Sequence, residues 1–287
     1  MVLPQHVKRA AQLGQGDIVA AWVESGGGVD DVDGDGKERT LLIWATVGPI
    51  RPPKAEYGHI DKRHLALAQY LLERGADVNR SDHRGDTPLH YSSCARTDSS
   101  PTMVALLLKA GANVLTTSVE DSGSQTPFNT VLSRLMKHGP SPHRMKVALL
   151  LLRALPSLDH ARHIPGFVPT SAEQFLNEAE TRATADEGGG RGNCFRVLRT
   201  VVTGVRAAGG WRAYDRIPRA EILRLRSLAL RRRAVFLPAT TRRYDYPYIR
   251  SIEFLVRCPP EIAWHILGYW RCQYPVDTHL IDQLGFH

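Results

Sequence analysis

The residues Asp82-His83-Arg84-Gly85-Asp86-Thr87-Pro88-Leu89-His90 decide how this chain folds. Gly85 allows a tight turn, Thr87 can cap a helix whose first helical residue is Pro88, and Leu89 then faces a core. Just upstream stands Leu71-Leu72-Glu73-Arg74-Gly75-Ala76-Asp77-Val78-Asn79, and downstream Leu106-Leu107-Leu108-Lys109-Ala110-Gly111-Ala112-Asn113-Val114. In both, a leucine-rich helix ends on a glycine (Gly75, Gly111), where a left-handed residue carries no Cβ penalty. One helix-opening motif between two helix-closing motifs implies helix pairs joined by turns and repeated along the chain.

These motifs closely resemble the ankyrin repeat, in which Asp-x-x-Gly-x-Thr-Pro-Leu-His opens the first helix and Leu-Leu-x-x-Gly-Ala-x-Val-Asn closes the second. The resemblance implies an all-α solenoid of helix pairs with β-hairpin-like turns, used as a non-enzymatic protein-binding surface. It also implies that His90 bonds the helix-capping threonine and the loop backbone.

Composition agrees with a mainly helical protein, for Leu and Ala dominate the 287 residues and period-two alternation is scarce. The four cysteines (Cys94, Cys194, Cys258, Cys272) share no Cys-x-x-Cys spacing, which argues against a zinc site or a disulfide framework. No signal-peptide pattern or membrane-length apolar run is visible, so the expected setting is the cytoplasm or nucleus, without membrane contact. Residues 1–155 carry 18 Lys or Arg against 16 Asp or Glu, and residues 156–287 carry 19 Arg and no Lys against 13 acids, so the second half is the basic half.

Taken in order, helices are expected over 3–13 and 17–24, with Asp17 as an N-cap, forming a capping repeat. A second repeat opens at Thr40 with Leu41 and Ile43 where Pro and His usually stand; Gly48-Pro49 breaks its helix, and an insertion runs to a return helix over 65–74. The third has helices over 87–95 and 101–110, and the fourth opens at Thr126-Pro127, with Asn129 at the His position and a return helix over 142–155. The Thr40 to Thr87 and Thr87 to Thr126 spacings are 47 and 39, longer than the repeat's roughly 33, which places insertions between paired helices. This predicts an ankyrin domain over 1–155, a helical extension over 156–235 and a linker with a C-terminal capping helix over 236–287. The extension should contain a helix opened by a capping box at Thr170-Ser171-Ala172-Glu173-Gln174, a glycine-rich loop over 186–192, and helices over 193–208 and 218–234.

Motifs for chemistry are sparse. Asp31-Val32-Asp33-Gly34-Asp35-Gly36 looks like the front of a calcium loop, but position 12 is Leu42 where a bidentate Glu is needed, so a solvated turn is expected. His160 and His163 lack a third ligand at a recognisable spacing, and Gly188 to Asn193 lacks the Gly-Lys-Ser/Thr of a phosphate loop. No metal, cofactor or catalytic residue is predicted. Arg219, Arg226 and Arg233 share a helical stripe that could meet nucleic acid or an acidic partner, or be a solvated face. Near the C-terminus, Pro260, Glu261, Ile262, Ile266, Leu267 and Trp270 weakly resemble a truncated F-box, which would imply recruitment of a ubiquitin ligase; an amphipathic capping helix explains the same spacing.

The expected function is binding of a protein partner by a monomer. The ladder of Trp44, Tyr91 and Thr130, following the Thr-Pro-Leu-His position in successive repeats, is expected on the concave face, with Asp33, Asp35, His83, Arg84 and Glu120 at the hairpin tips. For Trp44, cover by the proline-rich insertion is the competing expectation.

Overall fold

The computed structural model describes residues 2–48, 60–95, 97–120, 123–139, 141–159, 171–184 and 190–215. The chain divides into two compact units, residues 1–200 and 201–285. The first is built from helix pairs: α1 Gln5–Gln12 with α2 Gly16–Glu24, α3 Leu41–Val47 with α4 Lys62–Glu73, α5 Pro88–Cys94 with α6 Ser100–Lys109, and α7 Pro127–His138 with α8 Pro142–Ala154. First helices lie side by side in the order α1, α3, α5, α7, and return helices in the order α2, α4, α6, α8. That two-row stack is an all-α repeat solenoid, in which each pair buries its apolar faces only by having neighbours. Every residue of α3 and of α5 is buried as a result. The core is led by Leu41, Leu42, Ile43, Leu67, Leu71, Leu89, Met103, Leu107 and Phe128, each such side chain contributing about 1.5–3 kcal/mol through removal from water.

The helix starts follow the cap chemistry. Thr40 Oγ1 accepts from the Ile43 N–H and Thr126 Oγ1 from the Asn129 N–H, both at 3.3 Å, so α3 forms although Leu41 and Ile43 replace the usual residues. The return helix α4 begins at Lys62, three residues before the predicted 65, because Asp61 accepts the N–H groups of Arg63 and His64. His64 Nε2 also lies 2.9 Å from the Gln12 carbonyl, tying this start to the end of α1. Asp17 sits in the first turn of α2 and does not cap it, since the helix opens at Gly16.

The hairpins contribute the few strands. β1 Val2–Leu3 runs parallel to β2 Val32–Asp33, and β3 Ser118–Glu120 pairs antiparallel with β4 Gly123–Gln125. Gly85, at φ +83, has the Thr117 carbonyl 3.1 Å from where a Cβ would stand. The residue at the same place in the preceding turn, two before the capping threonine, is Glu38 at φ 56. Holding a Cβ-bearing residue there costs about 1–2 kcal/mol, so Glu38→Gly is expected to stabilise the chain by about 1 kcal/mol after the flexibility gained by the unfolded chain is subtracted. An unchanged or lower urea midpoint contradicts this.

Beyond the stack, Ser171 opens α9 Ala172–Thr184 with the expected capping box: its hydroxyl accepts from Gln174 N–H while Gln174 Oε1 accepts from Ser171 N–H, both at 3.2 Å. α10 Gly190–Ala208 starts inside the stretch predicted as a glycine-rich loop. Phe195 and Leu198 are buried in the first unit, and Arg196 and Arg199 reach Glu180 at 3.2 and 3.3 Å. In the second unit Val201, Val202 and Val205 are buried, and α11 Trp211–Tyr214 sets the Tyr214 ring against Gly204, where a Cβ would come within 2.6 Å. The histidines His160 and His163, the stripe Arg219, Arg226 and Arg233, and the F-box-like Pro260, Glu261, Ile262, Ile266, Leu267 and Trp270 lie outside the described residues.

Candidate partner-binding face

The hairpin side of the stack is organised by two carboxylates that play the same part in successive repeats. Asp82 Oδ1 accepts the backbone N–H groups of Arg84 and Asp86 at 2.9 and 3.0 Å, and its Oδ2 accepts the Tyr91 hydroxyl at 2.7 Å. Asp33 Oδ1 accepts the Arg39 N–H at 3.3 Å, and its Oδ2 accepts the Trp44 indole N–H at 3.1 Å. Arg39 and Asp86 both precede a capping threonine, and Trp44 and Tyr91 both stand four residues after one. The two arrangements are therefore equivalent, with two extra residues in the first hairpin.

Cations join the repeats. Arg39 lies 4.9 Å from the Trp44 ring and 5.2 Å from the Tyr91 ring, and its Nε is 3.6 Å from Asp82 Oδ2. Lys8, from α1, lies 4.5 Å from the Trp44 ring and reaches Asp33 at 3.4 Å and Asp35 at 2.6 Å. A guanidinium over aromatic faces with a carboxylate at its edge is favourable in both respects, and low exposure strengthens it. Burial, then the hydrogen bond with Asp35, pushes the Asp33 carboxyl up; burial and the bond to Asp82 push the Tyr91 hydroxyl well above its usual range. Asp35 is held well below the usual carboxylate range: burial opposes ionisation, but the hydrogen bonds from Lys8 and with Asp33 outweigh it.

This geometry corrects the expectation of an exposed aromatic ladder. Trp44, Tyr91 and Thr130 do occupy matching places in α3, α5 and α7, yet they are only 3, 5 and 5 % exposed. Trp44 and Tyr91 are covered by Lys8 and Arg39, and the Thr130 hydroxyl donates to its own helix at the Thr126 carbonyl. Asp33, expected at a tip, is buried, and Asp35 is turned to Lys8. The calcium-like spacing is thereby accounted for, because Asp33 and Asp35 serve protein donors and Asp31 accepts the Gly28 N–H. Among the described residues no group of three His, Cys, Asp or Glu could hold a metal ion.

What remains outside is the row of hairpin tips, held together by the backbone. The His83 N–H and its ring Nδ1 are both 3.1 Å from the Lys37 carbonyl, and the Val119 N–H donates to the Arg84 carbonyl at 2.8 Å. Lys37, Glu38, His83, Arg84 and Val119 are exposed on this row, and Glu120 follows in β3, opposite Gly123. Behind it, Thr87 N–H and hydroxyl both meet His90 Nδ1, at 3.1 and 2.9 Å, which leaves the proton on Nε2, 3.1 Å from the Gln125 carbonyl of the next hairpin. His90 thus has the structural role that the motif implied. Family models agree with the geometry: residues 55–95 match "Ankyrin repeats (many copies)" and residues 84–118 match "Ankyrin repeat".

Residues 55–118 are ankyrin repeats.

A comparison with curated proteins finds no match. Ankyrin repeats are generally protein–protein interaction modules, and the family is typically non-enzymatic. No helix among the described residues is long and apolar enough to cross a membrane. In this ankyrin stack the first helices α3 and α5 and the Asp33 and Asp82 carboxylates are buried, while Lys37, His83, Arg84 and Val119 are exposed on the hairpin tips.

Proposed function

We propose that the chain is a non-enzymatic interaction module that binds a partner protein along the hairpin-tip edge of its ankyrin stack, with the Asp33–Trp44 and Asp82–Tyr91 pairs holding that edge rigid. The observation that carries this reading is the combination of cross-hairpin backbone bonds with exposed His83, Arg84 and Val119 side chains on them. A surface whose shape is set before binding loses little conformational freedom on association. The buried titratable groups His90, Asp33 and Asp82 are engaged by neighbouring residues, which suits support and not turnover.

A photoreactive p-benzoylphenylalanine at Val119, 73 % exposed, should give discrete cross-linked partner bands. The same group at the exposed Ala105 on return helix α6 should give several-fold less. Equal labelling from both positions, or more from Ala105, contradicts the proposal.

A further inference from the structure

Three acids of the first two hairpins are already engaged within the stack. Asp33 and Asp35 are taken by Lys8, and Asp82 by Tyr91, Arg39 and two backbone N–H groups. Lys37 and Arg84, by contrast, are exposed and have no acidic partner among the described residues. They are brought together through His83, whose N–H meets the Lys37 carbonyl and whose next residue is Arg84. Arg84 in turn carries Val119 on its carbonyl, so a cationic patch is followed directly by an apolar side chain that is 73 % exposed. The strip is bounded by the acid Glu38 beside Lys37 and by the apolar Val119 at its other end. The cationic centre is therefore short, which disfavours a long uniform polyanion.

We infer that the strip Lys37–His83–Arg84–Val119 recognises an acidic, extended peptide segment of the partner, its carboxylates over Lys37 and Arg84 and a neighbouring apolar side chain against Val119. This rests on the proposed protein-binding role and specifies its chemistry. A guanidinium accepts a carboxylate bidentately, which fixes orientation as well as charge. The attraction is exposed to solvent, so it is screened by salt.

The test uses the full chain and two fluorescein-labelled short peptides: one with two adjacent aspartates shortly before a leucine, the other with lysines replacing the aspartates. Fluorescence anisotropy should show the aspartate peptide binding at least about tenfold more tightly, weakening about tenfold as salt rises from about 50 to 500 mM. Arg84→Glu should remove about tenfold of that affinity and Val119→Ser about threefold, while Lys109→Glu on α6 leaves it unchanged. Equal binding of the two peptides, no binding of either, or an unaffected Arg84→Glu variant overturns the inference. An oligonucleotide that displaces the peptide at equal concentration and loses binding in Arg84→Glu also overturns it, in favour of phosphate recognition. Cross-linking from Val119 separates the two levels: its persistence when the peptides fail leaves the protein-binding role standing, and loss of both removes it.

Discussion

Asp82→Ala should destabilise the chain by about 3–5 kcal/mol, because it removes one side of a buried, fully engaged ionic group. The carboxylate has no exposed surface and serves four neighbours: Arg84 N–H, Asp86 N–H, the Tyr91 hydroxyl and the Arg39 guanidinium. Truncation leaves the phenol without its acceptor and the arginine without its anion, and it frees the second hairpin turn. Tyr91→Phe alone should cost only about 1–2 kcal/mol, since Asp82 keeps its other donors. In the double variant the orphaned hydroxyl is gone, so the two losses should fall short of additivity by about 1 kcal/mol or more. Urea midpoints of the four proteins measure this. A cost for Asp82→Ala below about 1 kcal/mol, or strict additivity, would mean that the carboxylate is not the node that the geometry makes it.

The same node explains what could and could not be seen in the sequence. Helix pairs were legible where residue chemistry is local: Thr-Pro at residues 87–88 and 126–127 fixes the starts of α5 and α7, and Gly75 and Gly111, both with positive φ, follow the ends of α4 and α6. The capping box at Ser171 and Gln174 was legible for the same reason. The burial of Tyr91 was not, nor was the cover of Trp44 by Lys8 and Arg39, where the competing expectation names the proline-rich insertion. Asp33 reaches the backbone six residues on and Asp82 four residues on, so two residues of hairpin insertion hide their equivalence. The cation that covers Trp44 with Arg39 is Lys8, from another repeat. Family position told which residues stand in register, but exposure depends on what other repeats lay across them. Pairing of Val2–Leu3 with Val32–Asp33 is equally silent, since two-residue strands carry no periodicity. The contiguity of Lys37, His83, Arg84 and Val119 comes from bonds between hairpins and has no signature in any single one.

Acidification should weaken the stack through His90. Burial, opposed by the bond to the Gln125 carbonyl, pushes its imidazole down to about 4 from the ordinary 6.5. Between those values the unfolded chain binds a proton that the folded chain refuses, so stability rises with pH across the window. The contribution is complete above about pH 6.5 and is lost progressively as pH falls to about 4, by about 3 kcal/mol in total for this residue. Protonating Nδ1 would put an N–H against the Thr87 N–H and turn the threonine hydroxyl away, undoing the cap of α5. Asn129 occupies the corresponding place in the next repeat, 2 % exposed and on a helix that still forms, so His90→Asn should fold. That variant should lose about 1–2 kcal/mol at neutral pH, chiefly the bridge to the Gln125 carbonyl, and show a flatter stability profile between pH 6.5 and 4. Urea midpoints collected across that range decide the matter. A variant whose midpoint falls with acid as steeply as the parent's would place the acid-sensitive proton on another group, and the bridge between the third and fourth repeats would then owe nothing to the neutral form of His90.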